Sequence, residues 1–127
     1  MSDRKYRGKT ILLVDDEPSV SKAIKMLLEH DGFAVQTVKS GEEALALYAQ
    51  SRFDLVITDF SMLGMDGGEL AARIKTLNPD QPIIMATASI YKLDASRSPR
   101  HVVDHVLDKP FSLQDLREAV IKVLPKI

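Results

Sequence analysis

The stretch Asp54-Leu55-Val56-Ile57-Thr58-Asp59 decides the fold. It is a short apolar run, rich in β-branched residues, that ends abruptly in a carboxylate, as a buried strand does where it surfaces. Phe60-Ser61-Met62-Leu63-Gly64-Met65-Asp66-Gly67-Gly68 follows, with glycine at three places, and reads as a loop leading into a helix. Open α/β sheets bind their ligands at the carboxyl ends of parallel strands, which is where this run delivers Asp59.

Working outward, the same alternation of apolar run and amphipathic stretch fills the chain. Ile11-Leu12-Leu13-Val14 is continuously apolar, as expected of a strand covered on both faces, and ends in Asp15-Asp16-Glu17-Pro18, a helix-start signal. One of the three acids is expected to cap that helix as well. Val20, Ala23, Ile24, Leu27 and Leu28 recur at helical spacing until Asp31-Gly32. Phe33 to Val38 alternates apolar and polar, the pattern of an edge strand. Ser40-Gly41-Glu42-Glu43 opens a second helix with Ala44, Leu45, Tyr48 and Ala49 inward.

Beyond the central strand, Leu70, Ala71, Ile74 and Leu77 mark a third helix closed by Asn78-Pro79. Pro82 to Thr87 is a fourth strand ending in a hydroxyl. Ile90 to Arg100 is the least regular part, where Pro99 and the serines argue against a long helix. Val102 to Leu107 supplies a fifth strand, Asp108-Lys109-Pro110-Phe111 follows, and Leu113, Leu116, Val120, Val123 and Leu124 line the last helix. Five strands separated by helical segments predict a doubly wound α/β sheet with right-handed crossovers and helices on both faces. The edge character of the second strand selects the flavodoxin-like order 2-1-3-4-5.

The 127 residues, 45% hydrophobic and 28% charged, suit a single domain spanning residues 1–127. A net charge of −1 gives the chain no field to attract nucleic acid or an anionic membrane by itself. The absence of cysteine removes disulfides, thiolate metal sites and thiol nucleophiles together. No run approaches membrane-spanning length, and Met1 to Lys9 lacks the apolar stretch of a secretory signal, so the sequence reads as cytoplasmic.

In the expected order, Asp15, Asp16 and Asp59 meet at the ends of strands 1 and 3. Carboxylates so crowded repel one another and call for cations. Lys109 is one, and a divalent metal is the natural other. Magnesium suits an all-oxygen site, whereas zinc lacks cysteine or a histidine cluster to hold it. Beside a metal, a lysine and the Thr87 hydroxyl, Asp59 can act as a nucleophile toward phosphorus, and Ala88 leaves space beside it. No general base stands out, which favours acceptance of a phosphoryl group over its rapid hydrolysis. Singly, each of these residues has a plain structural role: a cap, a loop acid, a strand-end threonine, a solvated lysine. Their joint occurrence at the ends of strands 1, 3, 4 and 5 points to a site.

The chain closely resembles the receiver domain of two-component response regulators from about Lys9 to Lys126. The motifs that carry the resemblance are Leu13-Val14-Asp15-Asp16-Glu17, Asp59 with Met62 and Met65-Asp66-Gly67, Thr87-Ala88, and Lys109-Pro110-Phe111. The resemblance implies that Asp59 accepts a phosphoryl group from a phosphohistidine on a sensor histidine kinase or a histidine phosphotransfer protein. It implies Mg²⁺ bound by Asp16 and Asp59, with Asp15 assisting through water and the Ser61 backbone carbonyl as a further ligand. Thr87 and Lys109 would bind the phosphoryl oxygens, and the Lys109-Pro110 bond would be cis. Phosphorylation would reshape the face made by strand 5 and its flanking helices and so alter contact with a downstream protein or output domain. The domain would be no enzyme beyond promoting its own Mg²⁺-dependent phosphorylation and dephosphorylation.

Three departures mark this chain. Leu63 stands where many members have proline, and Val106 stands where strand 5 usually carries a switching aromatic. A polar, Pro99-containing stretch occupies the place of the helix after strand 4. Leu63 bears on loop stiffness, whereas Val106 and the Pro99 stretch suggest a signal reported by a non-standard route, such as ordering of Ile90 to Arg100, or a constitutive interaction module that binds whatever its phosphorylation state. A small phosphatase of the aspartyl-phosphate type ranks last, because it wants a second acid where Ser61 stands.

Overall fold

A computed structural model describes residues 7–88 and 103–124. In chain order these form β1 (Thr10–Val14), α1 (Pro18–His30), β2 (Ala34–Val38), α2 (Gly41–Tyr48), β3 (Leu55–Asp59), α3 (Gly67–Leu77), β4 (Ile83–Thr87), β5 (His105–Asp108) and α4 (Leu113–Val123). All strand pairs are parallel and the order is β2-β1-β3-β4-β5, as the edge pattern of β2 foretells. The Ile90 to Arg100 stretch, Val102 and the last three residues lie outside the described residues.

The strand period of two divides each central strand between two cores. On one face, Ile11, Leu13, Leu55, Ile57, Ile84 and Ala86 pack against α1 and α4 through Ile24, Leu28, Leu116 and Val120. On the other, Leu12, Val14, Val56, Ile83 and Met85 pack against α2 and α3 through Ala44, Leu70, Ala71 and Ile74. This is why β1, β3 and β4 read as unbroken apolar runs. Among the described residues, no helix is long and apolar enough to cross a membrane.

Two acids that precede strands tie the sheet at its other end. The Asp54 carboxylate accepts from the Thr10 backbone N–H at 2.7 Å. The Asp104 carboxylate accepts from the Ile83 N–H at 2.8 Å and pairs with Lys75 at 2.9 Å. Asp104 therefore works as a clasp, and β5 begins at His105, so that Val103 and Asp104, expected within the strand, precede it. Three residues expected to face inward do not: Leu77 (64% exposed) and Leu113 lie at helix ends beyond the cover of the sheet, and Ala49 is the C-cap of α2. Ser40 caps α2 as its sequence suggests, accepting from the Glu43 N–H.

Asp31 sits at the C-terminus of α1, where a negative charge opposes the helix dipole. It is held there by a two-pronged pair with Arg117 of α4, at 2.7 and 3.1 Å, with the carboxylate buried. Arg117→Ala is expected to cost about 2 to 3 kcal/mol by leaving that carboxylate unpartnered. Denaturant melts of Arg117→Ala and of Arg117→Ala with Asp31→Asn test this. The double variant should recover part of the loss.

Candidate metal and phosphoacceptor site

The polar groups singled out in the sequence meet at the carboxyl edge of the sheet. Asp59, the last residue of β3, is only 6% exposed, and its Oδ1 lies 2.8 Å from the Lys109 Nζ. Oxygens of Asp15, Asp16 and Asp59 all lie within 4.8 Å of one another. Lys109 reaches the site from the loop after β5, where its own N–H donates to the Thr87 carbonyl at 3.0 Å. The Lys109-Pro110 peptide is cis. Thr87 is buried at the end of β4, one residue past the Asp59↔Ala86 register pair. Ser61 is exposed, two residues beyond Asp59, and Ala88 is exposed beside the site.

The acids do not cap α1 through their side chains. Glu17 is its N-cap residue and makes no side-chain cap bond. The Asp15 Oδ1 instead accepts from the Glu17 N–H at 2.8 Å, which fixes the β1–α1 turn and points this acid back into the cluster. Burial pushes the Asp15 carboxyl above its ordinary range, and the Asp59 charge adds to this. The Glu17 N–H and the Lys109 ammonium pull the other way. Among the described residues, three acids, two of them buried, have the Lys109 ammonium beside them, which leaves room for further positive charge, and hard oxygen donors without sulfur or imidazole fit Mg²⁺.

The loop after Asp59 is held from both sides. The Phe60 N–H donates to the Ala86 carbonyl at 2.9 Å, and the Gly67 N–H donates to the Phe60 carbonyl at 2.8 Å. Leu63 projects from this loop, 87% exposed, followed by Gly64 at φ +78°. Two residues that the sequence places in the strand and the following loop, without a positioning role, touch the Asp59 peptide. The buried Thr58 hydroxyl donates to the Asp59 carbonyl at 2.9 Å, and Gly67 packs against that carbonyl with no space for a Cβ. Val106, in register with Met85, is half-buried on β5.

Residues 11–121 match the family described as response regulator receiver domain. The transcriptional regulatory protein GlrR of Escherichia coli is 36% identical over 115 residues, 91% of this chain and 26% of GlrR. The transcriptional regulatory protein ResD of Bacillus subtilis is 34% identical over 113 residues, 89% of this chain and 45% of ResD. The chain thus spans less than half the length of these two relatives. Among solved structures, the response regulator TrrA of Thermotoga maritima in complex with Mg²⁺-BeF superposes with a TM-score of 0.83 at 36% identity, covering 91% of this chain and 99% of TrrA. TrrA in complex with the histidine kinase ThkA gives a TM-score of 0.82, at 36% identity and with 92% and 99% covered.

Proposed function

The chain belongs to the family of response regulator receiver domains, and on that premise we propose that it is a phosphoacceptor switch whose Asp59 takes a phosphoryl group from a phosphohistidine donor. The observation that carries this is the buried Asp59 carboxylate, 2.8 Å from the Lys109 ammonium and clustered with Asp15 and Asp16. The reaction forms a bond from an Asp59 carboxylate oxygen to phosphorus as the bond from phosphorus to the donor imidazole nitrogen breaks. The electron pair leaves on the imidazole. Lys109 meets the negative charge of the phosphoryl oxygens, and the Thr87 hydroxyl donates to one of them. Asp15, Asp16, Asp59 and the Ser61 carbonyl would hold Mg²⁺, which supplies charge neutralisation to the transferring group.

The donor has a place to dock. A groove of 570 Å³ beside Lys109 is lined by Val20, Ala23 and Ile24 of α1 and by Phe111 and Leu113 before and at the start of α4. Its apolar floor at the rim of the acid cluster suits an amphipathic helix of a histidine kinase or phosphotransfer protein. Such a helix would carry its histidine toward Asp59. The ThkA complex of TrrA supports a kinase as partner. The regulators GlrR and ResD support a downstream protein or an output domain, and the family is consistent with a cytoplasmic setting. The domain is no enzyme beyond handling its own phosphoryl group. Val106 favours a second reading, a receiver fold that binds its partner whatever its phosphorylation state.

The test is intact-protein mass after incubation with acetyl phosphate, with and without Mg²⁺. A single phosphoryl adduct that needs the metal is the expected result. No adduct from this donor or from a phosphohistidine protein would move the second reading ahead.

Metal binding has its own signature. Because the Asp15 carboxyl is raised, its contribution to stability is full below the unfolded-state value and is lost as pH rises through the folded one. Mg²⁺ should offset that loss, stabilising the fold near neutral pH by about 2.7 kcal/mol at a hundred times its dissociation constant. Near the ordinary carboxylate value of 3.8 the gain should largely vanish. Thermal melts with and without Mg²⁺ at both pH values measure it, and EDTA should reverse it.

A further inference from the structure

We propose that the Thr58 hydroxyl and Gly67 together clamp the Asp59 carbonyl and thereby aim the phosphoacceptor, which makes both of them positioning residues for phosphoryl uptake. The inference rests on Asp59 being the acceptor. Thr58 is fully buried, at a register position beside Val14 and Met85, where the other β3 residue on that face is Val56. A hydroxyl in such apolar company is costly unless bonded. Its hydrogen bond goes to the carbonyl of the very residue whose side chain is the acceptor.

Gly67 meets the same carbonyl. A Cβ there would fall on the Asp59 carbonyl oxygen and lie 2.9 Å from the Phe60 Cα and 3.1 Å from the Asp59 carbonyl carbon. Every obstacle is backbone, so none can swing aside. The Gly67 N–H at the same time donates to the Phe60 carbonyl. The first residue of α3 is thus seated on the Asp59–Phe60 peptide, and the orientation of that peptide sets both the Asp59 carboxylate and the Ser61 carbonyl that follows. Gly68 is the natural control. A Cβ there would be 3.3 Å from the Asp66 Oδ1 and 3.4 Å from the Phe60 Cε1, both side-chain atoms that can give.

Thr58→Val and Thr58→Ser separate positioning from packing. Valine keeps the volume and loses the donor, whereas serine keeps the donor and loses a methyl group. If Thr58 only packs, Thr58→Ser is the impaired variant. If it positions, Thr58→Val is. Phosphorylation by acetyl phosphate at saturating Mg²⁺ should slow about fivefold in Thr58→Val and about 100-fold in Gly67→Ala, against less than about twofold in Thr58→Ser and Gly68→Ala.

Mg²⁺ dissociation constants, read from the metal-induced shift in melting temperature, should weaken in the same order. Equal rates in Thr58→Val and the parent, or rates that simply follow melting temperature, overturn the proposal. Where Gly67→Ala does not fold, the Thr58 pair decides. If the parent itself takes no phosphoryl group, the acceptor reading fails separately. The Mg²⁺ constants then decide the clamp, and unchanged values in Thr58→Val overturn it.

Discussion

Asp59→Asn is expected to abolish phosphoryl uptake while leaving the fold in place. The amide matches the carboxylate in shape, so the end of β3 and its backbone bonds should survive. What it lacks is a nucleophilic oxygen: its nitrogen lone pair is delocalised, and its carbonyl oxygen carries no full negative charge. The Lys109 ammonium loses its charged partner at 2.8 Å, but with a quarter of its side chain exposed it can turn to water. Radiolabel transfer from a phosphohistidine donor to parent and variant, beside matched circular dichroism spectra, makes the measurement. Label persisting on the variant would shift the acceptor to Asp15 or Asp16, each of which has an oxygen within 4.8 Å of an Asp59 oxygen.

Lys109→Met should produce two effects of opposite sign. Methionine keeps the apolar length of the side chain and deletes its charge, so the acid cluster loses the cation that competes with a metal. Mg²⁺ affinity should therefore rise by at least about tenfold, or about 1.4 kcal/mol, the repulsion left between the ammonium and a divalent ion roughly 5 Å apart even when screening is as full as in bulk water. Phosphorylation at saturating Mg²⁺ should fall by about 100-fold, the usual loss when one stabilising group is taken from a developing anion. A variant that bound Mg²⁺ more weakly would make Lys109 a structural prop of the cluster. One that phosphorylated at the parent rate would remove it from the chemistry.

The sheet was legible because each central strand announces itself. β1, β3 and β4 are unbroken apolar runs because helices cover both of their faces, and β2 alternates because its edge is open. The acid at the end of β3 and the acids after β1 could be placed together from strand order alone. Helix ends were less legible. Leu77 and Leu113 keep the helical spacing yet lie past the edge of the sheet, and spacing carries no information about where cover stops. The start of β5 was misplaced because Asp104 spends its side chain on the Ile83 N–H, a contact between residues 21 apart in sequence.

No positioning role could be read for Gly67 or Thr58, for a related reason. Gly67 reads as a turn glycine, yet it is not among the glycines with positive φ. It is needed for the close approach of one backbone to another, which no local pattern records. Thr58 reads as an ordinary strand former, and its hydroxyl acquires meaning only from the carbonyl it finds. One of Asp15, Asp16 and Glu17 was expected to cap α1 as well, with Asp15 also in the metal cluster. The turn instead lets the Asp15 carboxylate hold the Glu17 N–H and face the cluster together.

The phosphoryl group is expected on the Asp59 carboxylate, and borohydride trapping locates it. The protein is phosphorylated in the presence of Mg²⁺, denatured and reduced, so that an acyl phosphate becomes an alcohol, and its peptides are then sequenced by mass spectrometry. Conversion of residue 59 to homoserine, absent without the phosphoryl donor, is the predicted result. Homoserine at residue 15 or 16, or phosphate found on a serine or threonine, would contradict it.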